Sequence, residues 1–98
     1  VAVLIDGGCV SSCEGTAMRF KFSGMARLYG TQTMGSSGNP ASIRLPYSNG
    51  SLRVPTWIQL MPDGTPIEDH GIDPHVQVDP PSGALDAALR DLRSRLAR

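Results

Sequence analysis

The segment Asp6-Gly7-Gly8-Cys9-Val10-Ser11-Ser12-Cys13-Glu14 gathers the residue types that can do chemistry. Asp6-Gly7-Gly8 reads as a tight turn, because glycine permits positive φ and close backbone approach. It follows the apolar run Val1 to Ile5 and precedes a helix-forming stretch, so the serines stand where a buried strand turns into a helix N-terminus. Such an end carries N–H groups without intrahelical acceptors and the positive end of the dipole, so a hydroxyl there has an oxyanion site beside it. Strand, sharp turn and serine together are the geometry in which α/β folds present serine nucleophiles. Capping is the commoner task of a serine at a helix start, and the pattern alone leaves both roles open.

Cys9 and Cys13 are the only two cysteines. One pair defines no disulfide framework, and a zinc site needs two further ligands, whereas His70 and His75 lie in a distant loop region. The expected state is two small, partly buried thiols, with a bridge or a metal as the alternatives. No metal and no cofactor are expected.

The elements that position these residues follow from punctuation and period. Val1 to Ile5, apolar on both faces, reads as a central strand of a parallel sheet with neighbours on either side. Ser11 or Ser12 caps a helix to about Phe22, with Glu14 in the first turn where negative charge suits the dipole, and Ser23-Gly24 ends it. Met25 to Tyr29 is a second strand, completing a right-handed crossover. Gly30 to Pro40 is an irregular loop. Ile43 and Leu45, then Leu52 and Val54, alternate with polar residues around Asn49-Gly50, which predicts a hairpin of half-exposed strands. Trp57, Ile58 and Leu60 continue its second strand, while Pro46 and Pro55 mark edges or bulges. Val76 to Val78 is a short last strand. Pro80-Pro81-Ser82 then caps a final helix with Leu85, Leu89, Leu92 and Leu96 on one face, supported by the pairs Asp86/Arg90 and Asp91/Arg95.

Composition narrows the class. Nine Lys plus Arg balance nine Asp plus Glu, which argues against a nucleic-acid or anionic-membrane partner. Hydrophobic residues at 40% and charged residues at 18% describe a chain that folds. No apolar run is long enough to span a bilayer, and none reads as a leader. A parallel sheet with cover on both faces is more than 98 residues readily supply, so a fragment of a larger protein is expected.

Three segments in order carry a resemblance: Leu4 to Glu14, Tyr29-Gly30-Thr31-Gln32-Thr33-Met34-Gly35, and Pro62 to Val76 with Ile67-Glu68-Asp69-His70-Gly71 at its centre. Together they resemble the carboxyl-terminal processing (tail-specific) serine protease family over essentially the whole chain. The resemblance implies an α/β, partial ClpP/crotonase-like core, with a strand-helix-strand unit followed by a β-hairpin, a short strand and a C-terminal helix. Residues 1–98 would be the C-terminal part of a protease catalytic domain.

Carried over by motif, the family's nucleophile falls on Ser11 and the oxyanion donor that follows it on the Ser12 N–H. The position of the general-base lysine in the processing branch is Ser36, whose hydroxyl has no useful basicity near neutral pH and could only support. In the tricorn-core-like branch a histidine is the base and a glutamate supports it. Glu68 matches that glutamate, whereas the branch histidine and the second oxyanion donor would precede Val1; His70 occupies no motif position for a base. The implied function is a serine endopeptidase cleaving polypeptides by acyl transfer, with Leu52 to Leu60 flanking the substrate as an edge strand. The alternative is a non-catalytic module of the same fold that binds peptides or assembles with a partner. Implied partners are a polypeptide substrate and either a second copy or the missing N-terminal half, with no nucleic acid and no membrane segment. A periplasmic or secreted location is implied over a cytoplasmic one.

Overall fold

The computed structural model describes residues 1–98 as an α/β unit carrying a projecting hairpin. The elements are β1 (Ala2–Ile5), α1 (Ser12–Phe22), β2 (Arg27–Gly30), β3 (Ala41–Arg44), β4 (Ser51–Val54), β5 (Val76–Gln77), one 3-10 turn over Pro81–Gly83 and α2 (Ala84–Leu96). β1, β2 and β5 form a parallel sheet in that order. The register places Ala2 beside Arg27 and Ile5 beside Gly30, while Tyr29 pairs with Val76 on the other side of β2. Parallel neighbours need a crossover, and α1 supplies the one between β1 and β2.

Strand geometry turns successive side chains to opposite faces, and β2 shows it with Leu28 and Tyr29. Leu28 joins Ile5, Ala17, Met61, Ile67 and Ile72 in one cluster under α1 and the 61–72 loop. Tyr29 joins Ala84 and Ala88 of α2 in a second cluster on the opposite face. Leu28, Tyr29, Ile67 and Ile72 are fully buried, and such side chains contribute roughly 1.5–3 kcal/mol each by leaving water. The Tyr29 hydroxyl donates to Asp91 of α2, which also accepts from Arg95 at 3.0 Å and lies 3.7 Å from Arg27. The hydroxyl first and then Arg95 hold the Asp91 carboxyl below the usual carboxylate range, while burial and the same contact raise the Tyr29 pKa.

Four local expectations change. β1 is an edge strand paired on one side only, and Leu4 stays 46% exposed. The β3–β4 hairpin forms as expected, with Arg44 opposite Ser51 and the Leu45 N–H closing on the Gly50 carbonyl at 3.1 Å, yet neither face is covered. The second hairpin strand ends at Val54, since Pro55 has no N–H to continue a ladder, and beyond it only Leu60 makes an isolated bridge, to Pro66. In α2 the residue at the N-cap is Gly83 rather than Ser82, and the leucine face is not the buried one: Leu85 and Leu96 remain 55% and 85% exposed. Alanines lie at the contact instead because the helix approaches the bulky Tyr29 ring, and small residues fill the remaining gap.

Candidate active site

Ser11 is the N-cap of α1 and adopts φ 57°, ψ −113°. A non-glycine residue at positive φ costs about 1–3 kcal/mol and persists only where its surroundings over-determine it. They do so here. The Ser11 N–H donates both to the Ser36 carbonyl and to Glu14 Oε2, each at 2.9 Å, and its own carbonyl accepts the Gly15 N–H at 3.0 Å. Upstream, the Asp6 carboxylate accepts the Gly8 N–H at 2.8 Å and the Asp6 carbonyl the Cys9 N–H at 3.1 Å, which folds the turn that delivers the serine.

Glu14 is the hub of the arrangement and is fully buried. Its carboxylate accepts four hydrogen bonds: the Ser11 N–H, the Thr33 hydroxyl at 2.7 Å, the Gly35 N–H at 2.6 Å and the Ser36 N–H at 3.0 Å. Four acceptor sites are what an ionised carboxylate offers, so the group is saturated. Through it the N-terminus of α1 is fastened to residues 33–36. Those residues are fastened in turn to the 67–72 loop, since Thr33 Oγ1 accepts the Ile72 N–H at 2.7 Å and the Gly35 carbonyl accepts the Asp69 N–H at 2.9 Å. Gly35, at φ 80°, makes that approach possible: a Cβ there would lie 2.9 Å from the Gly71 nitrogen.

Ser12 is the first residue of α1 and exposed, with an N–H that has no acceptor within the helix. Ser36 lies next to Ser11, its carbonyl accepting the Ser11 N–H at 2.9 Å while its own N–H donates to Glu14 Oε2 at 3.0 Å. Glu68 is exposed and tied to the same loop, its Oε2 accepting the Ser37 N–H at 3.0 Å. The Ser37 hydroxyl donates to Gln59 Oε1 at 2.7 Å. An open cleft of about 310 Å³ runs between these parts, with Ser11, Ser12, Gly15, Thr16 and Arg19 on the α1 side and Ser37, Trp57 and Gln59 facing them. His70 does not line it; its Nε2 lies 3.3 Å from Asp73 on the protein surface.

The expectation of free thiols is corrected, because Cys9 and Cys13 form a disulfide with Cα atoms 5.3 Å apart. The turn around Ser11 and the first turn of α1 bring the two side chains back together across the serine. Sequence reasoning also missed the structural weight of Glu14 and the parts played by Thr33, Ser37 and Gln59. The Ser11-x-x-Glu14 spacing, which forms a capping box, was the available signal for the first; nothing local announces the others. No three His, Cys, Asp or Glu side chains converge as a metal site, and no helix is long and apolar enough to cross a membrane.

The chain is similar to known proteins in sequence and in fold. The chain is 36% identical over 81 residues to a carboxy-terminal-processing protease of Bartonella bacilliformis, a match covering 83% of this chain and 18% of that protein's length. Its fold superimposes on the tricorn protease with a TM-score of 0.82 at 24% identity, covering 99% of this chain and 10% of that one. The photosystem II D1 C-terminal processing protease gives 0.66 at 28% identity over 81% of this chain and 20% of its own. Mature CPAF in complex with lactacystin gives 0.78 at 20% identity, over 98% of this chain and 20% of that one. The α/β, strand-helix-strand architecture is therefore that of the processing proteases and the tricorn core. Residues 1–78 match the profile of peptidase family S41, and the chain belongs to that family.

Proposed function

We propose that residues 1–98 are the C-terminal part of the catalytic domain of a serine endopeptidase that cleaves polypeptides. The observation that carries the reading is Ser11 at positive φ on the N-cap of α1, facing an open cleft. In the reaction, Ser11 Oγ forms a bond to the scissile carbonyl carbon as its proton passes to a base, and the Ser12 N–H faces the developing oxyanion. Collapse breaks the C–N bond, the base returns the proton to the leaving amine, and water then hydrolyses the acyl-enzyme. Glu68 supports that base, which comes from the rest of the domain, and Ser36 adjoins the nucleophile without acting as a base. Trp57 and Gln59 flank the bound peptide. The disulfide supports the periplasmic or secreted setting that the family resemblance implies.

In the full-length protein a fluorophosphonate should label Ser11, and Ser11→Ala should abolish both labelling and peptide turnover. Glu68→Gln should keep the thermal melt and lower turnover on the order of tenfold to a thousandfold, the range for loss of a partner acting directly or through a hydroxyl or water. Turnover unchanged by Ser11→Ala overturns the assignment of the nucleophile. Turnover unchanged by Glu68→Gln removes Glu68 from the site.

A further inference from the structure

The disulfide brackets Ser11, with one half-cystine in the turn before it and the other in the first turn of α1. Each end is anchored differently. Cys9 is buried, its N–H donates to the Asp6 carbonyl at 3.1 Å, and its carbonyl accepts the Met34 N–H at 3.0 Å, so it belongs to the fixed end of the strand turn. Cys13 is exposed and moves with the helix, its N–H reaching the Val10 carbonyl at 3.2 Å. The serine between them holds a backbone conformation that a side-chain-bearing residue leaves readily. Its non-covalent restraints are backbone ones, an N–H shared between the Ser36 carbonyl and Glu14 Oε2 and a carbonyl that accepts the Gly15 N–H, and none of them ties the Cys9 end to the helix directly.

We infer that the Cys9–Cys13 disulfide is a positioning element for Ser11, fixing the serine for attack, so that reducing the bond slows acyl transfer. The inference rests on the reading of Ser11 as the nucleophile. Removing the link lets the Cys9 end and the helix end separate, and the first change open to the segment is relaxation of Ser11 toward negative φ, which swings Oγ and the neighbouring Ser12 N–H out of register. Displacement of a reacting group by about 1 Å can cost a hundredfold in rate. Exposure at Cys13 gives a dithiol reductant access. Its thiolate attacks the Cys13 sulfur, a mixed disulfide forms as the Cys9 thiolate leaves, and the reductant's second thiolate closes on its own sulfur to release the Cys13 thiolate. Two electrons pass to the protein, the two thiolates take up protons, and the reductant leaves as a cyclic disulfide.

The test uses the full-length protein, oxidised or treated with dithiothreitol, with the thiol state of Cys9 and Cys13 read by alkylation and mass spectrometry. Reduction should lower the rate of fluorophosphonate labelling at Ser11 on the order of tenfold to a hundredfold. It should lower kcat with KM within about twofold, because substrate binding by the cleft is untouched. Reoxidation should restore both rates, and a Cys9→Ala/Cys13→Ala double variant should sit at the reduced level and ignore the reductant. Equal labelling in both redox states overturns the inference and leaves the nucleophile reading standing. A double variant that still responds to reductant, or a reduced protein whose circular dichroism shows unfolding, also overturns it. Absence of labelling in the oxidised protein overturns the nucleophile reading and the inference together.

Discussion

Glu14 and Ser11 divide the site between them: one residue holds geometry and the other meets solvent. Glu14→Gln would exchange an acceptor for an amide donor facing the Ser11, Gly35 and Ser36 N–H groups and the Thr33 hydroxyl. At least one buried donor then loses its partner, and hydrogen bonds to a charged acceptor are worth about 1.5–3 kcal/mol each. The expected cost in denaturant unfolding of the full-length protein is about 2–5 kcal/mol. Labelling of Ser11 should fall in the molecules that remain folded, since the serine's backbone and residues 33–36 are held by the same carboxylate. A loss below about 0.5 kcal/mol, the range of an ordinary surface change, would refute the hub role. At this scale the sequence was legible where neighbours in the chain do the work: Ser11 at a helix start and Glu14 close behind it are a local pattern. Ser37 holding Glu68, and Thr33 and Gly35 reaching Glu14, depend on loops that converge only in the fold. The Cys9–Cys13 bridge is not legible from spacing, which does not reveal that the backbone doubles back at a positive-φ serine.

At the scale of elements, strong local signals survived and faces did not. Asn49-Gly50 gave the hairpin, and the change from apolar run to glycine turn gave β1 and α1, because turn chemistry acts within a few residues. The buried face of α2 depends on what the helix meets, and Tyr29 selects alanines that leucine periodicity does not favour. β5 shows the same dependence on a partner. It is two residues long, and His75 just before it lengthens the attachment to β2: the His75 N–H donates to the Leu28 carbonyl and His75 Nδ1 accepts the Leu28 N–H, both at 2.9 Å. Only a ring with unprotonated Nδ1 can accept. Partial desolvation first, and then Lys21 and Arg27, lower the His75 pKa from its ordinary 6.5. Between the two pKa values the unfolded chain binds more protons, so stability rises with pH there. It should fall as pH drops through about 6.5 and level off once pH is below the folded-state pKa. His75→Asn offers a non-titrating acceptor near the Nδ1 position. Its melting temperature should vary less with pH between about 7.5 and 5 than that of the unsubstituted protein. Identical pH profiles would exclude His75 as a source of the dependence.

The whole molecule is extended for its length. Its radius of gyration is 16.8 Å with a long axis of 65 Å, whereas a compact domain of about this size has a radius near 13 Å. The hairpin accounts for the excess, since both its strands are exposed and it reaches away from the two clusters on the β1–β2–β5 sheet. The outer edge of β1 presents unpaired backbone groups, with Val1 and Leu4 exposed beside it, and Leu85, Leu89 and Leu96 line a bare side of α2. Unpaired edges and apolar faces are templates for association. In solution the 98-residue chain by itself should therefore pair with copies of itself, and sedimentation should show a mass that rises with concentration. A monomer across a hundredfold concentration range would contradict this, as would association unaffected by Leu4→Lys, which places a charge on the proposed contact. Self-pairing should not bring activity. On the reading proposed above, the copies bring a second Ser11, Ser36 and Glu68 but not the base, which that reading assigns to the rest of the domain, and a nucleophile without its base loses most of its rate. Addition of the rest of the catalytic domain in trans should compete for the β1 edge, break up the self-associated form and restore fluorophosphonate labelling of Ser11. Disruption without labelling would separate the two roles of that edge, leaving assembly in place and the assignment of the base to the rest of the domain refuted.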